Sequence, residues 1–416
     1  MSTNQEEPLR IAVLSPYLDR RGGTERAVIE LIERLCQRHG CEVHIYSQRV
    51  EDIEVAPFRS PSAGGHNRPF WHRIPKIPGP HLFNFLWWVL CNRLWRTKDR
   101  WIRGIDFDLV FCPGINSSRV DAIVTHIVFR EFFRLVHDEL RLSAAPLRKW
   151  PLLIHRLLYY RFIMYLEGKI YRDPRVALAA VSKLTATELT RHFGREDVTV
   201  IPNGVDSDLF TMAERLRRRE VIRKSLQIDP NDFVVLFIGN DWKKKGLSGL
   251  LEAVALLRDL PIRLVIAGRD NRIGYDAQIG QLGLGERVLF LDPSGDVMQF
   301  YAAADVYAGP TLHDSFALPP IEAMACGLPV ITTSRNGGAQ IVEDAVNGYV
   351  LPDPRDNGAL AGLLRMLYEQ PDMRARVGES AARTAQQYTW ERNAEEGWKF
   401  IQEAAARKAE SRYARS

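Results

Sequence analysis

No run of apolar residues in this 416-residue chain reaches the roughly 18 that a helix needs to cross a bilayer. The start, MSTNQEEP, is polar and acidic and lacks the basic stretch that opens a signal peptide. A protein made and kept in the cytoplasm is the expectation. Cysteine is scarce: Cys36, Cys41, Cys91, Cys112 and Cys326 are odd in number, scattered and without a C-x-x-C pair. That pattern argues against disulfides or a zinc site and for five small buried hydrophobes. No Asp-x-Asp-like metal motif occupies a strand end, no G-x-G-x-x-G follows the first strand, and no recognised nucleic-acid motif accompanies the positive charge. A metal, a dinucleotide cofactor and a nucleic-acid partner are therefore not expected.

What is present suits a large globular fold. Hydrophobic residues make up 46% of the chain, and its length exceeds a single core, so two domains of about 200 residues are the default. The net charge of +5 is unevenly spread: residues 1–203 hold 30 Lys and Arg against 22 Asp and Glu, a net of +8, leaving −3 for the rest. The basic surface belongs to the first half, and an anionic lipid surface or acceptor is the partner it suits.

Short apolar runs alternate with helical patterns in both halves. In the first, Ile11–Ser15, Cys41–Tyr46, Leu109–Cys112, Ala122–His126, Ala177–Val181 and Val198–Ile201 read as strands, with a capped helix starting at Ser182. The second repeats the scheme: strands at Phe233–Ile238, Arg263–Ala267, Val288–Leu291, Val306–Gly309 and Pro329–Thr332, with helices between them. Alternation of this kind predicts parallel sheets with ligand loops at the strand C-termini. Between the halves, Ile201–Asp206 (IPNGVD) reads as a hinge. The expected domains are residues 1–203, 204–388 and a closing helical segment, 389–416, crossing back to the first.

The most informative stretch is Thr311–Gly327, TLHDSFALPPIEAMACG. It places Asp314, the Phe316-Ala317-Leu318 backbone and Glu322 around a helix start near Pro319 and Pro320, where proline's missing N–H costs nothing. Amides and the positive dipole end there favour a phosphate, and Glu322 can accept hydrogen bonds from ribose hydroxyls. This segment resembles the retaining glycosyltransferases of family 4, whose hallmark is Glu-x7-Glu followed by Ala-Met-Ala-x-Gly. Here the first acid is Asp314, one methylene shorter. The resemblance implies an α/β fold of the GT-B type, two doubly wound Rossmann-like domains facing a central cleft. It also implies a metal-independent transfer of a sugar from a nucleotide diphosphate, with no cofactor. The second-half pattern most resembles bacterial lipopolysaccharide core glucosyltransferases, implying a UDP-sugar donor and a cell-envelope glycan or lipid-linked acceptor.

Other positions match the same family. Gly22 and Gly23, in the G-G-T-E-R loop after the first strand, let the backbone approach a ligand, and with Thr24 correspond to a segment beside donor and acceptor. In GNDWKKKG, Gly239–Gly246, Lys245 fits the family's Lys-Gly, while Asn240 stands where an Arg is usual. Lys243 or Lys244 is then the second cation on the diphosphate. His126 resembles the strand-end histidine near the reacting carbon, and Arg130 and Glu131 are candidate acceptor contacts. Asn336-Gly337-Gly338 is either a turn near the phosphates or only a tight turn.

Two stretches, Phe70–Arg103 and Leu147–Arg172, interleave Trp and Tyr with Arg and Lys, a composition that suits a membrane interface as well as buried helices with snorkelling arginines. Peripheral attachment at the inner face of the cell membrane is one expectation. The rival readings are a same-fold epimerase or phosphorylase, and a non-catalytic sugar-nucleotide sensor or membrane-bound partner protein.

Overall fold

A computed structural model describes residues 8–56, 67–141, 143 and 146–413; the polar start at residues 1–7 lies outside the described residues. The chain forms two compact units, Met1–Ile201 with Asn393–Ser416, and Pro202–Arg392. The division therefore falls just inside IPNGVD, two residues before the boundary read from the sequence. Within the second unit the outgoing Val205 bridges Thr389 and donates its N–H to the Tyr388 carbonyl at 2.9 Å.

The first unit runs β1 (Arg10–Leu14), β2 (Tyr17–Leu18), α1 (Gly23–His39), β3 (Glu42–Ser47), β4 (Arg49–Val50), β5 (Phe70–Arg73) and α2 (His81–Arg103). It continues with β6 (Leu109–Cys112), β7 (Ala122–Thr125), α3 (Phe129–Val136), α4 (Trp150–Ile170), β8 (Ala177–Ala180), α5 (Lys183–Phe193) and β9 (Val198–Val200). Seven of these strands make one parallel sheet in the order β5-β3-β1-β6-β7-β8-β9. The expected cap on α5 is present, with Ser182 Oγ accepting from the Thr185 N–H at 3.1 Å. One element departs from the sequence reading: Phe70–Arg73, grouped there with an aromatic surface, is an edge strand on β3 that buries Phe70 and His72. Four residues are too few to reveal a two-residue period.

The second unit contains α6 (Met212–Ser225), β10 (Phe233–Ile238), α7 (Leu247–Ala255), β11 (Ile262–Ala267), α8 (Ile273–Leu282), β12 (Val288–Leu291) and α9 (Met298–Ala303). After these come β13 (Val306–Ala308), α10 (Leu318–Ala325), β14 (Val330–Thr333), β15 (Tyr349–Leu351), α11 (Asn357–Glu369) and α12 (Pro371–Ala385). Its sheet is parallel throughout, in the order β12-β11-β10-β13-β14-β15. The strands Phe233–Phe237 and Leu264–Ala267 are fully buried, which is the continuous apolar pattern of a sheet covered by helices on both faces. Both sheets are Rossmann-like.

The final helix, α13 (Trp390–Tyr413), joins the first unit from Asn393 onward. Its Trp398 stacks on His39 with ring centroids 4.7 Å apart, and Lys408 Nζ donates to Asp121 at 2.8 Å and to the Phe107 carbonyl at 3.1 Å. All five cysteines are free and buried. Among the described residues, no helix is long and apolar enough to cross a membrane.

Candidate functional site

In an open parallel sheet, ligand loops gather where the strand order reverses, at the carboxyl ends of the two strands flanking that point. In the second unit those strands are β10 and β13. The loop leaving β10 is Gly239–Gly246, and the loop leaving β13 is Gly309–Ala317. Topology alone thus sets the lysines beside the acid motif, although about 70 residues of chain separate them.

The β10 loop is rigidly held. Trp242 is buried, donates its indole N–H to the Gly239 carbonyl at 2.8 Å, and takes the Asp270 carboxylate on its backbone N–H at 2.7 Å. Its ring packs against Tyr275 and Phe290. The Lys244 carbonyl accepts from Leu312 N–H at 2.8 Å and from Thr311 Oγ1 at 3.2 Å, tying this loop to the next. Lys245 Nζ then meets Asp314 Oδ2 at 2.5 Å. Burial pushes the Asp314 carboxyl up, but the Lys245 and Lys244 charges with the Lys245 and Phe316 hydrogen bonds outweigh it, and the group is held below the usual carboxylate range. Asp314 is therefore an anion, and Lys245 its counter-ion.

Asp314 is also fixed from the β14 side. Its N–H donates to the Arg335 carbonyl at 2.9 Å, and its own carbonyl accepts from Gly337 N–H at 2.8 Å. Asn336, buried, accepts through Oδ1 from Ala317 N–H at 3.2 Å and Gly338 N–H at 3.0 Å, while its Nδ2 donates to Thr332. Of the sequence alternatives for Asn336-Gly337-Gly338, the structure gives the turn a definite role, which is to latch the loop before α10.

That latch corrects one expectation. Phe316 N–H donates to Asp314 Oδ1 at 3.1 Å and Ala317 N–H to Asn336, so two of the three amides read as phosphate donors already have partners. Pro319 and Pro320 have no N–H to offer. Leu318 keeps the one amide of the trio without a partner among the described residues. Side-chain cations, more than helix amides, carry the positive charge of this site.

Glu322 lies on α10 at 5% exposure, and its Oε2 accepts from the Tyr301 hydroxyl at 2.7 Å. Tyr301 is fully buried on α9, where burial and then the Glu322 charge hold its proton firmly. It props the carboxylate from beneath and fixes its direction. Asn240, in the place where the family has an arginine, accepts from the Arg269 N–H through Oδ1 at 2.9 Å and so braces the loop after β11.

The remaining candidates belong to the first unit. Gly22 caps α1, where a Cβ would collide with the Glu25 carboxylate, and Gly23 and Thr24 begin the helix. His126 follows β7 by one residue instead of ending it, and burial lowers its pKa to about 4, so the ring is neutral at neutral pH. Arg130 and Glu131 have local partners: the Arg130 guanidinium sits over the Phe193 ring at 5.1 Å, and Glu131 pairs with His192 at 2.9 Å and Arg134 at 3.3 Å. Both start α3, whose first amides, Phe129 and Arg130, donate to the buried Glu167 at 2.6 and 3.1 Å. The Glu131 carboxylate is thus engaged locally, whereas Arg130 Nε is buried without a hydrogen-bond partner among the described residues. Among the described residues no group of three or more His, Cys, Asp and Glu is placed to hold a metal ion.

Comparison with known proteins fits this geometry. Residues 21–209 match the model of the Glycosyltransferase Family 4 domain, and residues 218–384 match that of the Glycosyl transferases group 1 domain. The chain belongs to the family 4 glycosyltransferases. Within that family, the D-inositol 3-phosphate glycosyltransferase of Jonesia denitrificans is 32% identical over 236 residues, covering 53% of this chain and 55% of the relative. The chain thus spans about half the length of the relatives of that name that it matches. An uncharacterized glycosyltransferase of Methanocaldococcus jannaschii is 27% identical over 334 residues, or 78% of this chain and 82% of that one. Among solved structures, WaaG, a glycosyltransferase involved in lipopolysaccharide biosynthesis, superposes with a TM-score of 0.74 at 20% identity, covering 94% of this chain and 99% of WaaG. Anabaena HepE, in complex with UDP-glucose, superposes at 0.65 and 20% identity, covering 98% of this chain and 100% of HepE. These likenesses establish the fold as GT-B.

Proposed function

We propose that this family 4 glycosyltransferase is a retaining, metal-independent enzyme that moves a sugar from a UDP-sugar to a hydroxyl of a glycan or lipid-linked acceptor of the cell envelope. The observation that carries the reading is the Lys245–Asp314 ion pair at the reversal point of the second sheet, with Glu322 propped by Tyr301 nearby on α10. Lys245, with Lys244, meets the diphosphate, and Glu322 accepts from the ribose hydroxyls. Asp314 accepts from the donor sugar. The bond from the anomeric carbon to the phosphate oxygen breaks as the acceptor oxygen bonds to the same face. The acceptor's proton passes to the leaving phosphate, whose growing charge Lys245 stabilises. HepE's complex with UDP-glucose supports the choice of nucleotide.

A thermal-shift series with UDP-, GDP-, ADP- and TDP-sugars tests the donor site, since a ligand of the native state raises the melting temperature. UDP-sugars are expected to raise it, and Glu322→Ala to abolish the rise. A folded chain that responds to no donor would sink the reading in favour of a non-catalytic role.

Membrane attachment is the other part of the proposal. On α2, Phe83, Leu86, Leu90, Leu94 and Trp101 are exposed at spacings of three, four, four and seven, which puts them in one stripe; on α4, Trp150, Ile154, Leu158 and Tyr165 form another. Trp101 is 83% exposed, and Lys98, Arg100 and Arg103 lie beside it in sequence. Apolar stripes flanked by cations suit an anionic bilayer surface. Vesicles containing phosphatidylglycerol are expected to sediment the protein and phosphatidylcholine vesicles to leave most of it in solution. Leu94→Ser with Trp101→Ala should cut the bound fraction severalfold; equal sedimentation by both lipids, or by the variant, would count against attachment through α2.

A further inference from the structure

A cavity of about 270 Å³ in the first unit opens beside Ile127 and Phe129, directly after His126, and is walled by the start of α2 and one face of α4. Its chemistry is one-sided. Arg156 lines it and makes no ion pair or hydrogen bond among the described residues. His155 accepts the Leu82 N–H on Nε2 at 3.1 Å, so the neutral ring carries its proton on Nδ1 as a donor. Tyr160 is only 8% exposed, yet its hydroxyl, like that of Tyr159, has no partner among the described residues. Both tyrosines line the cavity, so their hydroxyls keep their hydrogen-bonding capacity for whatever enters it. No carboxylate lines the cavity. Its polar atoms are thus chiefly donors, around a guanidinium whose planar fork matches a phosphate.

The walls are largely aromatic, and exposed apolar side chains adjoin them on α2 and α4. His81 stacks on Tyr159 at 4.5 Å, the exposed Phe83 lies 6.3 Å from His155 between ring centroids, and Ile154 and Leu158 are exposed next in sequence to the lining residues of α4. An inorganic anion would leave those neighbouring apolar side chains bare. Resting on the reading of this chain as a glycosyltransferase, we propose that the cavity receives the phosphate-bearing head of an amphipathic acceptor, with Arg156 and the Tyr160 hydroxyl on the phosphate oxygens and the acyl portion along the exposed ends of α2 and α4. The acceptor class is then a phosphorylated lipid headgroup, delivered beside His126.

Calorimetric titration of the full chain with dihexanoyl phosphatidylglycerol, kept below its micelle concentration, tests this, with dihexanoyl phosphatidylcholine and glycerol 3-phosphate as the other arms. Saturable binding of the phosphatidylglycerol is expected, weakened about tenfold or more by Arg156→Ala and several-fold by Tyr160→Phe, and retained better by Arg156→Lys. Binding of glycerol 3-phosphate with the same dependence on Arg156 would keep the phosphate site and move the source from a lipid to a soluble sugar or polyol phosphate. No binding of either phosphate, equal binding of the zwitterionic lipid, or binding indifferent to both substitutions overturns the proposal. The UDP-sugar melting shift reports on the other unit, so its survival in Arg156→Ala shows an intact chain and separates failure of this inference from failure of the donor site.

Discussion

Replacing Lys245 by alanine is expected to lower turnover by about two to three orders of magnitude, a loss of about 3–4 kcal/mol of transition-state stabilisation. Two effects act together. The leaving diphosphate loses the cation nearest the acid motif, and Asp314 loses the partner that keeps it ionised in a largely buried place. The Asp314 carboxyl then moves up toward and beyond the ordinary carboxylate range, and its hold on the Phe316 N–H weakens. Lys245→Arg retains the charge and should recover part of the rate. Initial rates at saturating donor make the comparison, alongside melting temperatures that separate a chemical defect from unfolding. A Lys245→Ala enzyme with wild-type turnover would remove Lys245 from the mechanism.

Gly246→Ala is expected to be among the most damaging single methyl additions in the second unit. Gly246 caps α7 at φ +81°, in the left-handed region, and a Cβ there would press into the Pro310 carbonyl oxygen at the start of the acid-motif loop. Backbone meets backbone, so no side chain can swing aside. Strain in the left-handed region costs about 1–3 kcal/mol, and the overlap adds to it. A control exists in Gly280, an interior position of α8 where a Cβ meets nothing within 4 Å. Gly280→Ala should leave stability unchanged or raise it by about 0.5–1 kcal/mol. Denaturant midpoints of the two variants give the test. Equal midpoints would mean that the β10 and β13 loops are not packed as described.

Much of this fold is legible in the sequence. Apolar runs such as Phe233–Phe237 and Leu264–Ala267 announce buried parallel strands because helices cover both faces of the sheet. The site was legible where one local segment carries the signal, as in Thr311–Gly327 and in Lys245-Gly246. It was illegible where the partner is distant in sequence and bland in type. Tyr301 looks like any core aromatic, and only the packing of α9 against the neighbouring elements turns its hydroxyl to Glu322. Asn336 looks like a turn residue, yet its amide satisfies Ala317 nineteen positions earlier. The prolines that mark the start of α10 so clearly also remove the amides that a helix start would otherwise offer. Nothing in the sequence around Arg130 and Glu131 signals the Phe193 ring or the His192 imidazole that engage them.

The first unit is discontinuous: its sheet comes from residues before 202, and part of its helical cover from residue 393 onward. A ribosome reading this message therefore completes the second unit first. By the time Asn393 leaves the exit tunnel, residues 202–392 are all available to fold, while the sheet of the first unit still waits for Trp398 to reach His39 and for Lys408 to reach Asp121. At about 5–20 residues per second, synthesis of the intervening 191 residues takes roughly 10–40 seconds. During that interval the half-finished unit carries uncovered apolar surface, and whatever shelters it in the cell must remain until the closing helix arrives.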